Sequence, residues 1–214
     1  MPDVTTFALF AVACLAFLAI PGPSVFYIVT RSLVQGRRAG VTSMLGVQAG
    51  GLVHVVAAAF GVSALIASSA AAFTIVKYAG AAYLVFLGAR KLLAPGGDDD
   101  ELEPQPRAPA STKHLFGHGV IVNVLNPKTA LFFLAFLPQF VEPERGHLVT
   151  QIAFLGLLFT ALGFITDGCY ALVAGTAGKW LRQSRRYLEV ERYVSGTLFI
   201  GLGLTAAFAG SQKK

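Results

Sequence analysis

Charge is scarce in this chain. Only 13% of its 214 residues are Asp, Glu, Lys or Arg, about half the roughly 25% of an average soluble domain. Cysteine is nearly absent. Cys14 and Cys169 stand alone in apolar sequence with no Cys-x-x-Cys spacing. That excludes a redox motif, and both read as small core residues. There is no Gly-x-Ser-x-Gly elbow, no phosphate-cradling P-loop and no His-Glu-x-x-His, so no enzyme of those types is expected and no cofactor is implied. The opening Met-Pro-Asp-Val has no Lys or Arg, and no small-x-small cleavage site precedes Pro21. The first apolar run is therefore expected to persist as a span rather than act as a signal peptide.

Apolar sequence fills the chain instead, at 55% of residues. It comes in six blocks, near 5–34, 39–67, 70–93, 115–140, 148–174 and 191–210. Each reaches the roughly 20 residues needed to cross about 30 Å of hydrocarbon as a helix. A soluble core could not hide six such helices. The fold class expected is an all-α membrane protein with six transmembrane helices.

Basic residues alternate from loop to loop. Arg31, Arg37 and Arg38 fall between the first two blocks. Arg90, Lys91, Arg107 and Lys113 fall between the third and fourth. Lys179, Arg182, Arg185, Arg186 and Arg192 fall between the fifth and sixth. These are twelve of the 17 basic residues. The other side holds Lys77, Arg145, Lys213 and Lys214. A net charge of +6 so distributed marks membrane orientation, not nucleic-acid binding. Loops one, three and five are expected in the cytoplasm and both termini outside.

Residues 95–113, rich in Pro, Gly and acid, read as a solvated, disordered cytoplasmic loop. Asp98, Asp99 and Asp100 there match no calcium-loop spacing. The loop divides the chain into a first three-helix repeat, 1–94, and a second, 114–214. Each half opens with a proline in its first span, Pro23 and Pro127, followed twelve residues later by Gln35 and Gln139. An odd number of spans per repeat requires the second copy to be inverted. Inverted repeats with broken helices, here helices 1 and 4, are a mark of secondary transporters.

The polar residues inside the spans carry the functional reading. Pro21, Gly22 and Pro23 break the first span, and a break exposes helix N–H groups that hold anions. Asn126, Pro127 and Lys128 form the matching break, with Asn126 able to cap the helix that follows. An ammonium at mid-membrane costs about 2.5–3.5 kcal/mol, so Lys128 is expected to face a wet cavity or a partner. Asp167, an acid deep in an apolar span, could hold a substrate ammonium, carry a proton or simply neutralise Lys128. His54 is its counterpart in the second span, as core residue or relay. Gly46 and Gly50 share a face with His54 at four-residue spacing, Gly163 lies four residues before Asp167, and all three suit close helix packing. Gln48 is polar at mid-span on an unassigned face. His114 and His118 stand four apart without a third ligand, so no metal site is expected.

"PGPSVFYIVTRSLVQGRRAGVTSMLGVQAG", "KYAGAAYLVFLGARKLL" and "NVLNPKTALFFLAFLPQFV" together resemble the LysE/RhtB family of amino-acid exporters, over about residues 5–210. The resemblance implies a multi-pass protein of the bacterial inner membrane that exports amino acids or close derivatives, as an antiporter coupled to protons or another ion. It also makes a homodimer plausible. The alternatives are a passive channel or scaffold whose breaks only kink helices, and an intramembrane enzyme using Lys128, Asp167 and His54, for which no nucleophile or metal set is present.

Overall fold

The computed structural model describes residues 4–64, 70–93 and 110–182, with isolated helical positions at 193, 197, 200, 201, 204 and 207. Seven α-helices and no strand occur among the described residues. They are α1 (Val4–Leu18), α2 (Pro23–Gln35), α3 (Arg37–Ala57), α4 (Ala70–Leu93), α5 (Thr112–Val124), α6 (Pro127–Leu131) and α7 (Leu148–Arg182). A wider π turn, Ala58–Val62, prolongs α3; another, Phe132–Phe136, and a 3-10 turn, Leu137–Phe140, prolong α6. The linker at 94–109 and nearly all of the sixth expected span, 191–210, lie outside the described residues.

Two stretches, Arg37–Val62 and Leu148–Gly175, are single helices long and apolar enough to cross a bilayer. Two more spans arise if each bent pair counts as one: Thr5–Leu18 with Pro23–Gln35, bent by 54°, and Thr112–Val124 with Pro127–Phe140, bent by 45°. Both bends have the same cause. Pro23 and Pro127 each open the second half-helix. There a missing N–H costs nothing, whereas in a continuous helix it would remove a bond and clash with the preceding turn. The expected breaks in spans one and four are thus real changes of direction.

Side-chain register fixes how the helices run. Along α7, Gly156, Gly163, Gly168 and Gly175 lie in turn against Val55, Gln48, Met44 and Arg37 of α3, so these two helices are antiparallel. Along α5, Phe116 and Val120 lie against Gly46 and Gly50 of α3, so this pair is parallel. The Tyr27 hydroxyl donates to the Leu115 carbonyl at 2.8 Å and Ser24 donates to Asn123 at 3.1 Å, which makes α2 and α5 antiparallel. The two bent spans therefore run in opposite directions. One face of the bundle carries the N-terminal ends of α1 and α7. The other carries the α2–α3 turn at Gly36, whose φ of 83° suits glycine, and the start of α5.

Glycine makes the α3–α5 crossing close. A Cβ at Gly46 would run into the Phe116 carbonyl, and one at Gly119 would lie 2.6 Å from the Ser43 carbonyl. Backbone thus touches backbone, the contact that replaces hydrophobic drive between helices in lipid. Two buried clusters fill the interior. The larger holds Phe10, Phe17, Phe132, Phe136 and Phe159 toward the N-terminal face. The smaller holds Tyr27, Ile28, Met44, Val47 and Ala171 toward the other. Outside, large apolar side chains such as Val12, Val56, Ile75, Phe86, Ile121 and Ile165 are exposed. An apolar exterior of this extent suits lipid rather than water.

On the N-terminal face, buried Gln151 ties down the connector before α7. Its Oε1 accepts from the Glu142 N–H at 2.9 Å, and its Nε2 donates to the carbonyls of Glu142 at 3.0 Å and Gly146 at 2.7 Å.

A methyl group at the α3–α5 crossing forces the helices apart. Gly46→Ala is expected to cost about 1–3 kcal/mol, as overpacking does. It should lower the thermal unfolding temperature in detergent, whereas Gly117→Ala, with nothing within 4 Å of the new Cβ, should leave it nearly unchanged.

Candidate functional site

The two breaks meet. Lys128, in the first turn of α6, extends its side chain back to the end of α1. Its ammonium donates to the Phe17 carbonyl at 2.9 Å and to the Ile20 carbonyl. It also sits over the Phe17 ring, 4.5 Å from the centroid. The positive charge thus lies at the negative end of α1, on carbonyls of its last turn and of the break. The sequence places the lysine beside the positive end of its own half-helix; the long side chain takes the charge away from there to the opposite pole of another helix. Gly22 makes the route possible, because a Cβ there would lie 2.9 Å from the Lys128 Cδ. A third carbonyl of the break, Ala19, accepts from the Tyr170 hydroxyl of α7 at 2.8 Å.

Asn126 caps the second half-helix, its Oδ1 accepting from the Lys128 N–H at 3.0 Å. Its Nδ2 donates to the Ser24 hydroxyl at 2.8 Å, across to the other break. Ser24 in turn donates to the Asn123 Oδ1 at 3.1 Å, and Thr129 donates to the same oxygen at 2.9 Å. The Asn123 Nδ2 donates to the Val47 carbonyl at 2.7 Å. Asn123 therefore links α2, α3, α5 and α6 while its own polar atoms are satisfied, the condition for a buried polar network to stabilise. The first turn of α2 differs from that of α6: Gly22 supplies no side-chain cap.

Asp167, on α7, is buried. Its Oδ2 accepts from the Gln48 Nε2 at 2.8 Å. Gly163, one turn earlier, leaves room for that amide, since a Cβ there would lie 3.2 Å from the Gln48 Oε1. Gln48 thus faces the interior and bridges α3 to α7.

Between these groups lies a cavity of about 40 Å³, room for a few waters. Gly22, Ser24, Asn126, Lys128, Gln48 and Asp167 line it, with Asn123, Thr129, Thr160 and Gly163. Phe17 and Phe159 of the larger cluster and Val47 of the smaller also reach it. Of the residues singled out from sequence, Gly22, Gln48, Asn126, Lys128, Asp167 and Gly163 come together at this cavity. Pro21, Pro23 and Pro127 shape the breaks without lining it. Gly46 and Gly50 sit at the α3–α5 crossing. His54 stands apart from the lining: its Nε2 is 2.9 Å from the Asn123 carbonyl and its ring stacks 5.8 Å from Phe133. A carbonyl only accepts, so Nε2 carries a proton.

His114 and His118 stack at 5.7 Å near Tyr27 at the α5 start. No cluster of three metal-ligating side chains occurs among the described residues. Cys14 is buried in the larger cluster and Cys169 is exposed on α7.

Sequence reasoning passed over Ser24, Asn123, Thr129 and Tyr170. Asn123 had a signal: it stands one turn before Asn126 in "NVLNPK", within a span where an unpaired amide would be costly.

Comparison with known proteins points to one family. A family model described as LysE type translocator matches residues 15–210. A Salmonella typhimurium protein named homoserine/homoserine lactone efflux protein is 32% identical over 189 residues, covering 88% of this chain and 89% of its own length. An uncharacterized membrane protein of Vibrio cholerae is 29% identical over 213 residues, covering 97% of this chain and 98% of its own. Another, from Bacillus subtilis, is 31% identical over 191 residues, covering 86% and 90%. No solved structure matches the chain.

Removing the hub of the polar network should be felt in stability. Asn123→Leu leaves the Val47 carbonyl, the Ser24 hydroxyl and the Thr129 hydroxyl short of a partner. A loss of about 1–3 kcal/mol is expected from one such orphaned buried group. Denaturation of the purified protein in detergent, compared with Asn123→Asp and the unaltered chain, measures it.

Proposed function

The chain belongs to the LysE type translocator family, and from that premise we propose that it is a secondary exporter of small amino acids or close derivatives. The observation that carries the reading is the meeting of two antiparallel broken spans at a buried polar cavity lined by one ammonium and one carboxylate. A zwitterion needs both signs, and so small a polar site in an apolar bundle has little use as packing alone. The relatives named for homoserine and homoserine lactone efflux support an uncharged, small side chain. The cavity fits that reading, with hydroxyls at Ser24, Thr129 and Thr160 and no acid besides Asp167 among its lining residues.

In this reading the substrate carboxylate lies at the uncapped first turn of α2, near Lys128, and the ammonium meets Asp167 with Gln48 holding that carboxylate in place. Asp167 also serves as the proton-exchanging group when no substrate is present. His54 acts through Asn123 rather than on the substrate. A cavity of about 40 Å³ holds waters but not an amino acid, so the walls must separate on one face and then the other. Two three-helix repeats of opposite direction, rocking against each other, supply that motion. The antiparallel bent spans support the repeat. Arg31, Arg37, Arg38 and Lys113 share the face of the α2–α3 turn, which supports placing that face in the cytoplasm of a bacterial inner membrane.

Export against a gradient separates this reading from a passive channel. Cells carrying the chain should release L-homoserine to an outside concentration above the internal one, and an uncoupler should abolish the excess. Asp167→Asn and Lys128→Ala, inserted at normal levels, should each lower initial efflux at least tenfold. Wild-type rates in both variants would remove these residues from the mechanism, and release that only equilibrates would favour a channel.

A further inference from the structure

Lys128 occupies an unusual place for a residue that meets a substrate. Its ammonium is turned onto the end of α1, bonded to the Phe17 and Ile20 carbonyls. Phe17 is also the first ring of the aromatic seal above the cavity. It packs on Phe132 at 4.7 Å between centroids, and Phe132 stacks on Phe159 at 4.3 Å. Phe17 and Phe159 form part of the cavity wall, and the larger cluster lies beyond them toward the N-terminal face. One side chain therefore touches both the cavity and the plug that closes it.

We propose that Lys128 is the latch of this seal. Its ammonium holds the end of α1, and with it Phe17, in the closed position; the carboxylate of the transported amino acid releases the seal by drawing that ammonium away. The inference rests on the proposed export of zwitterions and gives this one residue a positioning role within it. The exchange is favourable on general grounds. Neutral carbonyls hold an ammonium less firmly than a carboxylate does where water is excluded. A lysine can make the move by rotating its flexible stem while its helix stays in place. Gly22 leaves the stem a smooth wall to slide along, without a Cβ in its path. Once the ammonium departs, the last carbonyls of α1 lose a partner, and Phe17 loses the cation over its ring. The stack of phenylalanine rings that Phe17 joins lies toward the N-terminal face, so the latch acts on that face.

Accessibility of a cavity cysteine tests the latch. Thr160→Cys, in a background with Cys14→Ala and Cys169→Ala, is labelled with a membrane-impermeant thiol reagent applied to each face in turn, in whole cells and in inverted vesicles. With Lys128 in place, labelling from the N-terminal face should be slow, and L-homoserine should raise it at least threefold. Lys128→Met should raise it about tenfold without homoserine and make it insensitive to homoserine. Gly22→Ala keeps the charge but crowds the lysine stem, and should give an intermediate rate. A purely structural cap would leave the native rate unmoved by homoserine. The latch is overturned if Lys128→Met and Gly22→Ala, both inserted normally, label from the N-terminal face as slowly as the native residues do. If Lys128→Met misfolds, Gly22→Ala alone decides. If the variants open the seal and another small amino acid speeds native labelling where homoserine does not, the latch stands and only the homoserine assignment fails; if no amino acid speeds it, Lys128 is a structural cap and the latch is overturned.

Discussion

An ammonium bonded to the open end of another helix is the constraint on which this bundle depends. A broken membrane helix leaves carbonyls without partners, and in hydrocarbon each of them costs several kcal/mol. Water cannot be relied on there. Here the protein supplies its own donors: Lys128 for Phe17 and Ile20, Tyr170 for Ala19. The lysine benefits equally, since a buried charge persists only when its protons are accepted. Each group would be a liability alone. Together they join the break of one bent span to the break of the other.

That junction dictates the surroundings. The two breaks have to approach closely, so Gly22 lies under the lysine stem, Gly163 under Gln48, and Gly46, Gly50 and Gly119 between α3 and α5. At the level of the breaks a layer of polar side chains crosses the bundle, where Asn123 and Asn126 serve several helices at once. Above this layer the bundle is filled with phenylalanine, and outside it with aliphatic side chains suited to lipid. The arrangement gathers one ammonium, one carboxylate and several amides and hydroxyls around a single cavity, with apolar packing beyond it.

Much of this was legible in the amino-acid order. Proline in an apolar run has few meanings, so the positions of both bends could be read from Pro23 and Pro127, and Asn126 could be recognised as a cap. Block length and the sidedness of arginine and lysine pointed to spans. The partners were harder to read. Lys128 finds carbonyls 108 and 111 residues away in the chain, and backbone acceptors leave no mark in a sequence. Gln48 lacked an assignable face because α3 carries small or apolar residues nearly all round, so no periodicity distinguished inside from lipid. His54 resembled Asp167 as a polar residue at a matching place, yet its ring meets a backbone carbonyl and Phe133 instead of the cavity. Position along a helix can be inferred from local chemistry; the azimuth of a residue on a helix apolar all round depends on which neighbour arrives.

The connector between Phe140 and Leu148 carries a mechanical implication. Gln151 clamps both of its flanks to the first turn of α7, so this corner behaves as a hinge plate rather than a strap. The wide turns after α6 and the start of α7 are joined stiffly through it, so that any displacement of one has to carry the other along, as a single hairpin.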